Sequence, residues 1–174
     1  TVELEIERTI SLWKDLKSLW RLFALFRRER PWGVHSLTPK AGLLSMAAAA
    51  LARVPVRVHT FTGLIFPYRK GAFKFLLRQM DRLTCLFATH VIPEGEGVRK
   101  LLIAEKVTGK SLEVLAYGNV NGVDLEHFRQ SGRREEERRR LGLPAGAVLF
   151  VFVGRITEDK GIRELLAAFS ALRG

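Results

Sequence analysis

Apolar residues recur along this chain in two alternating rhythms. Short runs rich in apolar residues occupy 33–37, 56–61, 90–93, 112–116 and 148–153. Between them, apolar residues return every three or four positions over 11–28, 39–53, 71–88, 98–106 and 161–172. The first kind reads as short strands covered on both faces, the second as helices. Strands alternating with helices predict an α/β fold built on a parallel sheet. Thr38-Pro39 marks one helix start, with Thr as N-cap and Pro in the first helical position.

A change of composition divides the chain. Asn119-Val120-Asn121-Gly122 is turn chemistry, and residues 133–140 form the charge block RREEERRR, followed by LGLP. Glu135 and Glu136 stand four residues before Arg139 and Arg140, which supports a short exposed helix. A new strand–helix pattern opens after it. Residues 1–120 are therefore expected to form most of one Rossmann-like domain, 121–145 a linker, and 146–174 the opening of a second domain.

Composition narrows the function classes. The chain has 174 residues, enough for one domain or one domain and part of another, and 47% hydrophobic content describes a globular core. The net charge of +11 points to anionic partners: phosphates, anionic lipid or nucleic acid. Cys85 is the single cysteine, so an internal disulfide is excluded and a reducing compartment fits; its helical setting reads as a buried structural thiol. The Ala-rich stretch 41–52 is too short to span a bilayer, and no signal-peptide pattern opens the chain. In the helix 11–28, Leu12, Trp13, Leu16, Leu19, Trp20, Phe23 and Phe26 stand against Lys14, Lys17, Arg21, Arg27 and Arg28. That pattern fits first a helix covering a sheet and, as the lesser alternative, one lying on an anionic membrane.

Most of the chemical signal lies in residues 148–169. An apolar run ends at Val153, a turn holds Gly154, Arg155, Lys160 and Gly161, and a helix opens with Ile162, Leu165, Leu166, Phe169 and Leu172 on one face. A helix N-terminus offers free N–H groups and a partial positive charge to an anion. Arg155 can grip two phosphate oxygens with its planar fork, and Lys160 adds a point charge. Other candidates stand at the C-terminal ends of strands, where open α/β sheets bind ligands. These are Thr38, Lys40 and Gly42 after the first strand, and His59, Thr60, Thr62 and Gly63 at the end of the second. No Asp-x-Asp and no His/Cys spacing of a metal site occurs, so neither a metal nor another cofactor is expected. Residues 108–111 (TGKS) lack the first glycine and preceding strand of a P-loop, and Gly95-Glu96-Gly97 lacks the third glycine of a dinucleotide fingerprint.

The pattern G-R-x-x-x-x-K-G after an apolar strand resembles the donor-binding loop of GT-B glycosyltransferases, specifically the retaining glycosyltransferase family 4. VHSLTPKAGLL (34–44), PVRVHTFTGLIFP (55–67), DRLTCLFATHVIPEGEGVRKLL (81–102) and NVNGVDLEHF (119–128) resemble further segments of bacterial polysaccharide-type members, in family order. The resemblance implies a GT-B architecture: an incomplete N-terminal Rossmann-like domain on the acceptor side, then the first βα unit of a second Rossmann-like domain. It implies transfer of a sugar from a nucleoside-diphosphate-sugar to a saccharide or lipid-linked saccharide acceptor in surface polysaccharide synthesis. Gly154, Arg155, Lys160 and Gly161 would bind the donor diphosphate, where negative charge grows as the anomeric bond breaks. Thr38, Lys40, Gly42, Thr60 and Gly63 would line the acceptor side, and Asn121, Gly122 and Asp124 the interdomain loop. Thr62 occupies the place of a cleft histidine found in many members, and His59 stands three residues earlier; these two are the catalytic candidates.

Two departures accompany the resemblance. The opening strand and glycine-rich loop of the family are not found, nor is its Glu-x7-Glu motif, so the chain is expected to be a fragment, inactive by itself. A cytoplasmic protein, peripheral on the inner face of the membrane, is expected, with no nucleic acid partner. The alternatives left open are a GT-B sugar-nucleotide epimerase and a basic α/β module for nucleic acid or membrane. A binding module would gather its cations on one face with exposed aromatics.

Overall fold

The computed structural model describes residues 11–119, 121–129 and 132–172, with Asp159 described for its backbone alone. Val120, in the turn expected at 119–122, lies outside the described residues. The chain divides into two compact units, Thr1–Val123 and Asp124–Gly174.

The first unit is an α/β layer structure. Helix α1 (Leu12–Glu29) leads into strand β1 (Gly33–Ser36), then α2 (Pro39–Leu51), β2 (Val56–Phe61), a 3-10 turn (Phe66–Tyr68), α3 (Gly71–Phe87), β3 (His90–Pro93) and α4 (Glu96–Ala104). The strands form one parallel sheet in the order β1-β2-β3. Ser36 pairs in register with His59, and Phe61 with Pro93. Parallel neighbours cannot be joined by a tight turn, so α2 and α3 serve as the crossovers. This is the partial Rossmann-like arrangement that the alternation predicts. Met46, Phe61, Phe66, Cys85, Val91 and Leu102 form the centre of the core.

Local chemistry explains the element ends. Pro39 opens α2 from an extended Thr38, whose hydroxyl makes no cap bond; its carbonyl accepts from Gly42 N at 2.6 Å. The last carbonyls of α3 are collected by two cations from outside the helix. Lys110 Nζ donates to Cys85 O at 2.5 Å and to Ala88 O, and Arg57 Nε donates to Phe87 O at 2.6 Å. These contacts satisfy groups that a helix C-terminus leaves unpaired. Lys110 of the TGKS segment is thus occupied in closing a helix.

Among the described residues, two expected strands are missing. Residues 112–116 form no strand: Arg99 Nε takes the Leu112 carbonyl at 3.1 Å, and Ala116 turns to φ +49°. A left-handed alanine breaks an extended ladder. Residues 148–153 also form no strand. Apolar pattern supplies side-chain preference, but a strand needs a neighbour to take its backbone groups.

In the second unit the charge block forms α5 (Arg134–Arg140), the exposed helix expected of it. Its ion pair joins Arg140 Nε to Glu137 at 3.1 Å, three residues apart rather than the four expected. Arg138 donates to the carbonyls of Pro144 and Ala147, closing the following turn. A 3-10 turn (Glu158–Lys160) then leads into α6 (Ile162–Ala171), on which Phe169 meets Phe150 edge-on at 6.0 Å between ring centroids.

Candidate functional site

In the first unit the candidates converge at the C-terminal ends of β1 and β2. Parallel pairing sets Ser36 beside His59, and the Ser36 hydroxyl and His59 Nδ1 share a hydrogen bond of 2.7 Å. The ring is buried and meets Phe61 edge-on at 4.5 Å between centroids. Burial, helped by nearby His35, lowers the His59 pKa to about 4, so the imidazole is neutral near pH 7. One residue back on β1, His35 Nε2 lies 2.9 Å from the Thr60 hydroxyl. The two strands are therefore stitched by two successive side-chain pairs where the sheet meets the loop.

That loop is shaped by its neighbours. Gly42, on the first turns of α2, sits directly over His59: a Cβ there would stand 2.4 Å from Cε1 and 2.8 Å from Nδ1 of the ring. Lys40 Nζ is bound to Asp15 Oδ1 of α1 at 2.5 Å, with both side chains mostly covered. Thr62 and Gly63 are exposed, with open space around the Gly63 Cβ position. At the end of β3, Asn119 N donates to Glu94 O at 2.6 Å. Gly118, at φ +81°, lies so close to the same carbonyl that a Cβ would stand 2.8 Å away.

The structure places each of the expected residues. His59 carries the catalytic expectation, yet in this conformation its ring lies beneath the loop and out of contact with solvent. Lys40, expected to line the acceptor side, is engaged by Asp15. Gly42 is a packing necessity for the histidine. Thr60 uses its hydroxyl within the sheet end. Thr38, Thr62 and Gly63 remain on the surface. Sequence reasoning passed over Asp15 and Gly118. Asp15 stands 25 positions from Lys40 without a motif to connect them, and the Gly-Asn dipeptide at 118–119 was the only signal for the second.

In the second unit Gly154, Arg155, Lys160 and Gly161 form the loop that precedes α6. Lys160 N donates to Thr157 O at 3.0 Å and Gly161 N to Glu158 O at 3.1 Å, which sets the 3-10 turn. Gly161 adopts φ +68° and serves as N-cap of α6; a left-handed cap is natural for glycine and strained for other residues. Arg155 and Lys160 are both exposed on this turn. The expected strand–loop–helix is thus a loop–helix here.

The linker residues are ordered by their own side chains. Asn121 N donates weakly to Asn119 Oδ1 at 3.4 Å, and Gly122 takes φ +62°. Asp124 Oδ1 accepts from Glu126 N at 3.0 Å and His127 N at 2.9 Å, an Asx cap on the turn it opens.

Two further buried groups lie in α3. Burial raises the Asp81 pKa to about 7. Burial, then the Asp81 charge, pushes the Cys85 thiol up to about 12, against smaller lowering effects of Lys110 and Thr108. A thiol so protonated is inert, in keeping with a structural role. Among the described residues, no three of His, Cys, Asp and Glu gather into a metal-holding group.

The family described as a glycosyl transferase 4-like domain matches residues 1–118. The chain is similar to the capsular polysaccharide biosynthesis glycosyltransferase CapM of Staphylococcus aureus, 35% identical over 170 residues, 97% of this chain and 44% of that protein. It is similar to the UDP-Gal:alpha-D-GlcNAc-diphosphoundecaprenol alpha-1,3-galactosyltransferase of Escherichia coli, 33% identical over 156 residues, 88% of this chain and 39% of that protein. It is also similar to the putative teichuronic acid biosynthesis glycosyltransferase TuaC of Bacillus subtilis, 31% identical over 144 residues, 80% of this chain and 34% of that protein. The chain spans less than half the length of each of these relatives.

Proposed function

Because the chain belongs to the glycosyl transferase 4-like family, we propose that it serves a glycosyltransferase of surface polysaccharide synthesis. The enzyme moves a sugar from a nucleoside-diphosphate-sugar to a saccharide, lipid-linked acceptor, with retention at the anomeric carbon. The observation that carries this reading is the family match over residues 1–118 together with relatives named for capsular polysaccharide, teichuronic acid and diphosphoundecaprenol-linked galactose transfer.

In this reading the work divides between the units. Thr38, Thr62 and Gly63 border the acceptor side, and His59 positions the loop from below through Ser36 and Gly42. Arg155 and Lys160 take the donor diphosphate, with the N–H groups opening α6 behind them. Fixed cations aimed at the leaving diphosphate supply the stabilisation that this reaction needs most. Their charge lets the reaction proceed without a metal or another cofactor. The protein works at the inner face of the cell membrane as a peripheral protein; no described helix is long and apolar enough to cross a membrane.

The test is transfer of labelled sugar from UDP- and GDP-sugars to diphosphoundecaprenol-linked saccharides by the full-length protein, with and without EDTA, and with the anomeric configuration of the product read by NMR. Expected is a lipid-extractable product, unchanged by EDTA, that keeps the donor's configuration. Conversion of the free donor sugar to its epimer, without transfer, would replace this reading with the epimerase one.

A further inference from the structure

We infer that Asp15 is a positioning residue for the acceptor, which it serves by holding the ammonium of Lys40 at the mouth of the sheet. The role rests on the transferase reading and adds to it the group that meets the acceptor's oxygens. Lys40 is the second residue of α2 and follows the C-terminal end of β1. Open α/β sheets bind their ligands at that end. Asp15 comes from the first turn of α1. Its two oxygens have separate tasks: Oδ2 accepts from Ser11 N at 3.1 Å, and Oδ1 meets Lys40 Nζ at 2.5 Å. A carboxylate held at both oxygens is a fixed point, and it fixes the tip of a side chain with a flexible four-carbon stem.

The electrostatics of the two helix starts single out the ammonium. The ion pair joins the first turn of α1 to the first turn of α2, so two partial positive charges stand near one carboxylate. Asp15 offsets both. Lys40 adds a further positive group where a helix start favours an acid, and the first turn of α2 holds no acid. The rest of α2, PKAGLLSMAAAAL, is uncharged. The side chains of Lys40 and Asp15 are only 14% and 18% exposed. Taking two charges out of water is costly, and apolar groups of similar volume commonly serve stability as well or better. A cation set against the helix dipole, largely covered and pinned at its tip is a preorganised donor for an oxygen-rich ligand. The chemistry it fits is a hydroxyl or phosphate oxygen of the acceptor.

The test is steady-state transfer by the full-length protein, with donor and acceptor varied separately. The acceptors are the diphosphoundecaprenol-linked saccharide and the same saccharide on a neutral octyl aglycone. Expected for Asp15→Asn, Lys40→Met and the double variant is an acceptor KM raised at least about tenfold, with donor KM and kcat near parental values. A rise with both acceptors assigns Lys40 to a saccharide hydroxyl, and a rise with the diphosphate-linked one alone assigns it to phosphate. Asp15→Asn in the Lys40→Met background should add no further rise, because Asp15 acts through the ammonium. Asp15→Glu should restore most of what Asp15→Asn loses. The double variant should keep the parental urea midpoint, since neither charge is left unpaired. Where a single variant unfolds, Asp15→Glu and the double variant carry the comparison.

A parental acceptor KM in the double variant would overturn the inference. So would donor and acceptor KM rising together in step with a falling urea midpoint, the behaviour of a pair that only holds the fold. A parent that transfers to neither acceptor would remove the transferase reading and this role with it. A parent that transfers, beside variants with an unmoved acceptor KM, would sink the positioning role alone.

Discussion

Gly42 lies against the imidazole of His59 so closely that an added Cβ would stand 2.4 Å from Cε1. The ring cannot retreat, because Ser36 holds Nδ1 at 2.7 Å and Phe61 meets it edge-on. Gly42→Ala should therefore destabilise the first unit by about 1–3 kcal/mol through overpacking. Urea denaturation measures this. Combining it with His59→Ala should recover part of the loss, since the two changes share one space. Strictly additive effects would show that the contact does not constrain the loop.

His59 and Asp81 should give opposite pH dependences of stability. The His59 pKa falls from 6.5 in the unfolded chain to about 4, so the unfolded state binds more protons between those values and His59 makes stability rise with pH there. The Asp81 pKa rises from 3.8 to about 7, so the folded state binds more protons and Asp81 makes stability fall as pH rises across that window. In the parent the two slopes largely cancel between pH 4 and 6.5. Asp81→Asn should unmask a rising limb and His59→Asn a falling one, each with a slope of up to about 1.4 kcal/mol per pH unit. Denaturant midpoints from pH 4 to 8 provide the check, and parallel curves for both variants would refute the assignment.

Arg155→Ala and Lys160→Ala in the full-length protein should each lower kcat/KM for the sugar-nucleotide by about 2–4 kcal/mol of transition-state stabilisation. Product inhibition by the nucleoside diphosphate should weaken in parallel, because the same oxygens are held. Kinetics unchanged in both variants would remove the donor loop from the proposed site.

Cys85 should react with Ellman's reagent only as the protein unfolds. It is buried and its thiol is pushed up to about 12, so the thiolate that attacks the reagent is scarce in the native state. The reaction rate should follow denaturant along the unfolding transition. Rapid labelling in buffer would show that α3 opens locally.

What the sequence determined by itself is what depends on neighbours along the chain. Apolar spacing placed the helices, Pro39 marked the start of α2, and the run of acids and arginines formed α5, because each turns on contacts within a few residues. The alternation of these elements was enough for the α/β class. The tertiary structure alone decided where strands could exist: 112–116 and 148–153 have the side chains of strands, but among the described residues they find no partner edge, and backbone pairing is not encoded locally. It alone brought Ser36 and Gly42 onto His59, and Asp15 onto Lys40, across 17 to 25 residues that the parallel crossover and helix packing fold back on themselves. It also sorted the apolar residues of α1 into those that meet α2 and those left facing outward. Amphipathic spacing states how wide an apolar stripe is; only the position of α2 states which part of it is covered.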